Sequence, residues 1–433
     1  MKMFGSMKNK DGILEIGGID SRKLLAQYGS PLYVMDLELI EKNIKIFKEN
    51  FKSKKFETSV VYASKAFLCK GMCNIISKFN IEMDAVSGGE LYLIKSSNMP
   101  MERVHMHGNN KSVEELEMCL DYEVGSIILD GTEEVEKLSR LCSEKNKKIK
   151  VMLRINIGID AHTHEYIKTA KHTSKFGVSI FSTDFLDLVK RIVEDKNFIF
   201  LGFHCHIGSQ IFDTKAFLEE VDILVKETKS ISQKLDIEIP EINLGGGFGV
   251  FYTDEDKPLE LEHFMKEIIR HIEKISEEEN YMIKKVSIEP GRSIVANAGT
   301  TLYTVGGIKE TYGGIKYVFV DGGMTDNIRP ALYQAKYEAL VANKMNSKNM
   351  ETVTIAGKCC ESGDVLIKNI KLPKCDSGDI IGILSTGAYG YSMSNNYNKI
   401  CRPAVVFVKN GVSYLAIRRE TYKDLVALDE NIF

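Results

Sequence analysis

The chain has 433 residues, 44% of them hydrophobic and 27% charged, which suits a soluble globular protein of two domains with a large core. Its formal net charge of −3 gives no electrostatic argument for binding nucleic acid or an anionic membrane, and no apolar run approaches the roughly 20 residues that span a bilayer. Nine cysteines in a long chain whose first ten residues lack a signal-peptide core read as reduced thiols, so the expected compartment is the cytoplasm.

From about residue 58 one unit repeats: a short apolar strand, a turn, then an amphipathic helix. The strand-like runs are Thr58–Ser64, Glu82–Val86, Arg103–Met106, Ser126–Leu129, Lys150–Asn156, Phe198–Cys205, Glu241–Leu244 and Lys285–Ile288. Helix-like segments between them include Ser112–Tyr122, Thr132–Lys145, Phe181–Glu194, Thr214–Leu235 and Glu260–Glu278, the first two opening with capping signals. Eight alternations in about 230 residues predict a (β/α)8 TIM-like barrel over residues 31–292 rather than an open doubly wound sheet. Past Gly291 the pattern changes to β-branched and aromatic runs separated by glycine turns, including Thr300–Val305, Tyr317–Val320, Val353–Ala356, Ile380–Leu384, Ala404–Val408 and Ser413–Ala416. Residues 293–433 are therefore expected to form a mostly β domain, joined by strands from residues 1–30.

The unusual residues gather where the barrel strands should end, which is where barrels place their chemistry. Lys65 closes the first strand in Val60-Val-Tyr-Ala-Ser-Lys-Ala-Phe67, at the rim of an apolar core, where an ammonium losing solvation is a candidate nucleophile. Taken alone it also fits a lysine snorkelling to the surface. Strand seven ends in Gly245-Gly-Gly-Phe-Gly249 and strand eight in Glu289-Pro-Gly-Arg292, a pair of loops suited to an anion such as phosphate. Strand six ends in His204-Cys-His-Ile-Gly-Ser209, and His-x-His pairs occur at 105/107, 162/164 and 204/206. A barrel metallohydrolase would need more carboxylates and histidines at strand ends than Asp84 and Glu289 supply, so no metal is expected. Cys69 and Cys73 read as helix-face residues rather than ligands.

An amine, an anion site and an acidic partner together suit one cofactor, pyridoxal 5'-phosphate: Lys65 for the covalent link, the last two loops for the phosphate, and Glu289 to keep the pyridine nitrogen protonated. On Tyr62-Ala-Ser-Lys65, His204-Cys-His-Ile-Gly-Ser-Gln210, Gly245-Gly-Gly-Phe-Gly249, Glu289-Pro-Gly-Arg292, Cys360-Glu-Ser-Gly-Asp364 and Gly387-Ala-Tyr389, in that order, the chain resembles the fold-type III pyridoxal-phosphate decarboxylases. Within them it is similar to the branch acting on diaminopimelate, from about Gly29 to Asp429.

The resemblance implies an alanine racemase/ornithine decarboxylase-like fold and decarboxylation of meso-2,6-diaminopimelate to L-lysine and carbon dioxide, the last step of lysine biosynthesis. The alternative is a decarboxylase of a related diamino acid such as D-ornithine or D-lysine. It further implies Lys65 as the Schiff-base lysine, His206 stacked on the cofactor ring and Glu289 as the pyridinium partner. Ser209, Gly246, Gly247, Pro290, Gly291 and Arg292 would lie around the phosphate, with Tyr389 close by. Arg292, Arg329, Tyr333, Glu361 and Tyr389 would hold the distal amino-acid end of the substrate, and Cys360 would return a proton after carbon dioxide leaves. The family's shared site implies a homodimer, with Lys175 pairing Asp364 of the other subunit. Residues 160–170 with Ser174-Lys-Phe-Gly177 resemble the diaminopimelate branch. Ala170, Ile400 and Val405 depart from the family's usual glycine, arginine and glutamate.

Overall fold

A computed structural model describes residues 2–159 and 174–432, which fall into two compact units. One comprises residues 44–249 and 258–291; the other residues 1–43, 250–257 and 292–433.

The first unit is a closed parallel barrel. Its eight strands are Glu57–Tyr62, Glu82–Ala85, Val104–Met106, Ser126–Leu129, Ile149–Asn156, Phe198–His204, Glu241–Asn243 and Lys285–Ile288. Each pairs with the next, and Lys285–Ile288 pairs back onto Glu57–Val60, which removes both edges. Short apolar strands alternate with amphipathic helices such as Thr132–Lys145, Phe185–Glu194, Lys215–Leu235 and Leu261–Glu278, whose buried faces cover the barrel. Phe217 stacks on Phe248 with ring centroids 4.9 Å apart, and Phe264 meets both edge-on, so aromatic contacts bind helices to the loop after the seventh strand. Helix Val113–Tyr122 starts at a full capping box between Ser112 and Glu115.

The second unit is mostly sheet. Its twelve-residue strand Gly299–Glu310 pairs with Leu32–Asp36, Lys316–Val320 and Ile380–Ile383, and Leu32–Asp36 pairs in parallel with Ala404–Lys409. A small sheet of Lys8–Lys10, Ile13–Ile16 and Ile19–Asp20 packs its apolar face into the same core, and Leu14 N–H donates to Ala342 O at 2.7 Å. Strand Leu32–Asp36 therefore belongs with the sheet, not with a barrel beginning at residue 31, and residues 250–257 group with the sheet as well. Arg329–Tyr333 is a short helix, with Pro330 early in its first turn, where the strand-rich pattern suggested none. Among the described residues no helix is long and apolar enough to cross a membrane.

Candidate active site

Lys65 follows the first barrel strand in the single turn Ser64–Ala66, fixed from below by Tyr62, whose hydroxyl donates to Phe67 O at 2.7 Å. The turn lifts the side chain out of the core. Lys65 is exposed, so the loss of solvation expected at the strand end is not imposed by the fold. Two acids bound the turn: Asp84 Oδ1 accepts the Ser64 N–H at 2.6 Å, and Glu90 Oε2 accepts the Ser64 hydroxyl at 3.2 Å and the Val86 N–H at 2.8 Å. Burial pushes the Asp84 carboxyl up to about 7, against the opposing pull of the Lys65 ammonium.

The glycines after strand seven are required by close backbone approach. A Cβ on Gly245 would stand 2.6 Å from Cys205 O, one on Gly246 2.3 Å from Glu289 O, and one on Gly247 2.4 Å from Gly208 O. Gly247 also has φ +120°, which side chains rarely adopt. Removing these side chains lets the ends of strands six, seven and eight converge. Ile211 N–H then reaches Gly247 O, and Gly249 N–H reaches Ile211 O, both at 2.9 Å. His206 joins the same convergence, its Nδ1 accepting the Gly246 N–H at 3.3 Å. Burial, then the Lys65 and Arg154 cations, hold the His206 imidazole well below its ordinary range, so it is neutral. Gly291 packs on the Lys65 turn, a Cβ there falling 2.7 Å from Ala63 Cβ, while Pro290 O accepts the Ala63 N–H at 3.2 Å.

Glu289, just past strand eight, is buried and receives three side-chain donors. His107 Nε2 and Asn243 Nδ2 reach Oε1 at 3.0 and 2.8 Å, and His204 Nε2 reaches Oε2 at 3.1 Å. Burial alone would raise the carboxyl; its electrostatic interactions with the His107 and His204 imidazoles, and then their hydrogen bonds, prevail and keep it well below the carboxylate range. Burial likewise drives the His107 imidazole down to about 3 and lowers that of His204, so both are neutral and the trio carries one negative charge, on Glu289. The ligating atoms of His107, His204 and Glu289 lie within 4.8 Å of one another, a spacing a metal ion could use, but their contacts are hydrogen bonds between neutral donors and a carboxylate.

The sheet unit carries a second cluster. Arg292 Nη1 and Arg329 Nη1 both donate to Tyr252 Oη, at 2.6 and 3.0 Å, and Arg329 Nη1 also donates to Tyr337 Oη at 3.1 Å. The Tyr389 ring lies 4.7 Å from the Arg292 guanidinium and 5.8 Å from that of Arg329. Tyr389 sits at φ +57°, costly for an aromatic residue, in a turn where a Cβ on Gly387 would meet Val295 O at 1.9 Å. Burial would raise the Tyr252 phenol, but the two guanidiniums overturn that and lower it. Two buried arginines held side by side, with planar donors, suit a carboxylate.

Cys360 and Glu361 stand exposed on the loop after Met350–Ala356, the Cys360 N–H donating to Asn398 Oδ1 at 2.8 Å. The loop is anchored by Asp364, which is only 4% exposed and accepts the Met324 and Cys359 N–H groups, each at 2.7 Å. A Cβ on Gly357 would stand 2.3 Å from that carboxylate. Asp364 thus anchors the loop within its own chain. Near the departures at Ile400 and Val405, Asn396 Nδ2 donates to Glu420 Oε2 at 2.6 Å and steadies the loop. Residues 160–170, the 162/164 histidine pair and Ala170 lie outside the described residues.

The donor set fits a phosphorylated pyridine aldehyde: a free amine, converging backbone without side chains, and a buried anion. A family model for the pyridoxal-binding domain of pyridoxal-dependent decarboxylases matches residues 37–296. Over 98% of this chain and 97% of the relative, it is 48% identical to the diaminopimelate decarboxylase of Bacillus subtilis, and it is 40% identical to that of Staphylococcus aureus over 97% of this chain and 98% of the relative. The chain belongs to the diaminopimelate decarboxylases. The crystal structure of the M. jannaschii family member superposes with a TM-score of 0.92 at 35% identity, covering 98% of both chains, and another structure of that protein is a complex with L-lysine. A lysine/ornithine decarboxylase from Vibrio vulnificus, at 20% identity and TM-score 0.75, shares the fold. Family membership brings pyridoxal phosphate as the cofactor.

Four residues of these clusters were not legible beforehand as partners. His107 showed only as half of a His-x-His pair. Asn243 and Tyr337 carried no motif, and Tyr252 stood unremarked three residues past the glycine run.

Proposed function

We propose that this protein decarboxylates meso-2,6-diaminopimelate at its D-configured carbon, giving L-lysine and carbon dioxide, in the cytoplasm and as a homodimer. The observation that carries the reading is the buried Arg292–Tyr252–Arg329 cluster, which offers a carboxylate two guanidiniums. Diaminopimelate has a carboxylate and an ammonium at the end that does not react; ornithine and lysine have only the ammonium there, and need no such arginines.

When bound, pyridoxal phosphate supplies the electron sink that lets carbon dioxide depart from the α-carbon. The chain's own residues do the rest. Lys65 would hold the cofactor covalently and, once released, would accept or give a proton at Nζ. The loops Gly245–Gly249 and Pro290–Arg292, with Ser209, would bind the phosphate, and His206 would lie against the ring. Glu289 keeps its negative charge for the ring nitrogen. Arg292 and Arg329 fix the distal carboxylate, Glu361 takes the distal ammonium, and Tyr333 and Tyr389 flank them. Cys360 Sγ gives the proton that replaces carbon dioxide. Its exposure suits a loop completed by a neighbouring subunit, which supports the dimer. Sedimentation at assay concentration checks the assembly; a fully active monomer refutes it.

The reading is tested by incubating the holoenzyme with meso-diaminopimelate, ornithine and lysine in parallel and measuring carbon dioxide. Release from diaminopimelate alone, or at least a hundredfold faster, is expected. Release from ornithine or lysine but not diaminopimelate overturns it.

A further inference from the structure

Glu289 can do its work on the ring nitrogen only if it is ionised and aimed. Both requirements are hard to meet in a buried site, because burial alone favours the neutral acid. Among the described residues, no lysine or arginine touches its oxygens. What reaches them instead is a set of three neutral N–H donors from three other strands. His107 follows the third strand, and its backbone N–H is tied to Ala85 O at 2.7 Å. His204 ends the sixth, and Asn243 ends the seventh.

An ionised carboxylate offers about four acceptor sites. His107 and Asn243 fill two on Oε1, and His204 fills one on Oε2. One remains. The tautomer of His204 is settled by its other nitrogen: Nδ1 is buried and, among the described residues, has no hydrogen-bond partner. A proton there would be an unsatisfied buried donor, so the proton sits on Nε2 and points at Glu289. The two imidazoles brace each other edge to face, with centroids 4.9 Å apart at 73°. Asn243 adds a mechanical link, since its Oδ1 accepts the Gly245 N–H at 2.9 Å while its Nδ2 holds Glu289. The glycine loop and the acid are thereby set by one side chain.

We propose that His107 and His204, together with Asn243, are positioning residues that orient Glu289 through neutral hydrogen bonds and leave it a single open acceptor site, matched to the one N–H of a pyridinium ring. Neutral donors suit this task better than cations. An arginine or lysine in either place would consume the charge that the ring nitrogen needs, whereas an imidazole orients the carboxylate and leaves that charge to the cofactor. The proposal rests on the reading of Glu289 as the ring-nitrogen partner.

The test uses holoenzyme reconstituted with pyridoxal phosphate labelled with ¹⁵N at the ring nitrogen, whose chemical shift reports protonation directly, alongside cofactor dissociation followed by absorbance. His107→Leu and His204→Leu should each move the shift toward the unprotonated value and weaken cofactor binding about tenfold, the loss of one hydrogen bond to a charged group. His107→Gln and His204→Gln, which keep an N–H donor, should restore most of both. A merely structural role would alter stability without moving the ring-nitrogen shift. Wild-type shift and affinity in the leucine variants overturn the proposal; if those variants do not fold, a glutamine variant with the ring nitrogen unprotonated overturns it equally. Glu289→Gln is the control on the underlying reading: if it leaves the shift unchanged, Glu289 is not the ring partner, and that failure is distinct from failure of the histidine roles.

Discussion

Tyr252 and Arg329 are joined by a 3.0 Å hydrogen bond from Nη1 to the phenol oxygen, and Arg292 Nη1 reaches the same oxygen at 2.6 Å. One tyrosine thus spaces two buried like charges that would otherwise repel. Tyr252→Phe keeps the ring but removes the shared acceptor. The KM for diaminopimelate is expected to rise about tenfold with kcat changed little, because hydrogen bonds to charged groups are worth about 1.5–3 kcal/mol. Steady-state kinetics check this; an unchanged KM means that the phenol does not organise the arginines.

Gly247 is held to glycine by φ +120° and by Gly208 O, 2.4 Å from where a Cβ would stand. Gly247→Ala must push apart the loops after strands six and seven. Backbone strain of about 1–3 kcal/mol should appear as cofactor affinity lowered about tenfold or more, measured by dissociation into a pyridoxal-phosphate trap. Wild-type affinity would show that these loops do not cradle the phosphate.

Cys360 is exposed and its backbone is tethered to Asn398. Cys360→Ala should leave the long-wavelength absorbance of the lysine-bound cofactor intact and lower kcat about a hundredfold, as expected for loss of a proton donor. Lys65→Ala should abolish that absorbance altogether.

Asp326 is buried, its Oδ2 accepting the Gly323 N–H at 2.9 Å, and burial, reinforced by Asp321 and Asp364, pushes its carboxyl up to about 7. In the unfolded chain an aspartate ionises near ~3.9. Between these values the native state holds a proton that the unfolded state has lost, so stability falls as pH rises across the interval. The contribution is on the order of 4 kcal/mol over the whole range. Asp326→Asn should flatten this slope and melt higher than the wild type at pH 8 but not at pH 4. Parallel melts at the two pH values check it; an identical pH dependence in both proteins contradicts the assignment.

Much of this molecule was readable from local pattern. The strand expected at Ser126–Leu129 and the helix at Thr132–Lys145 have those same bounds in the structure, because one is a short apolar run and the other an amphipathic one; the capping signal at Thr132 is not used, since Gly131 stands at the N-cap and no side chain caps it. The triple glycine could be read as a close approach, since few other functions require three in a row. Leu32–Asp36 could not be assigned to its sheet: all five residues are buried, and a fully buried strand has no alternation to say which neighbours it joins. The donors around Glu289 were hidden for another reason. His107 and Glu289 lie 182 positions apart, and a pairing across a barrel leaves no trace in local spacing. Tyr252 and Arg329, 77 apart, are the same case. Lys65 was found through its motif, while its exposure depends on a single turn of helix that apolar periodicity does not foretell.

The most direct test of the central claim is the stoichiometry of the product. With meso-diaminopimelate as the sole substrate, the holoenzyme should form one L-lysine for each carbon dioxide released, followed by chiral chromatography and gas capture on the same sample. Carbon dioxide without L-lysine, or D-lysine in its place, would contradict the account.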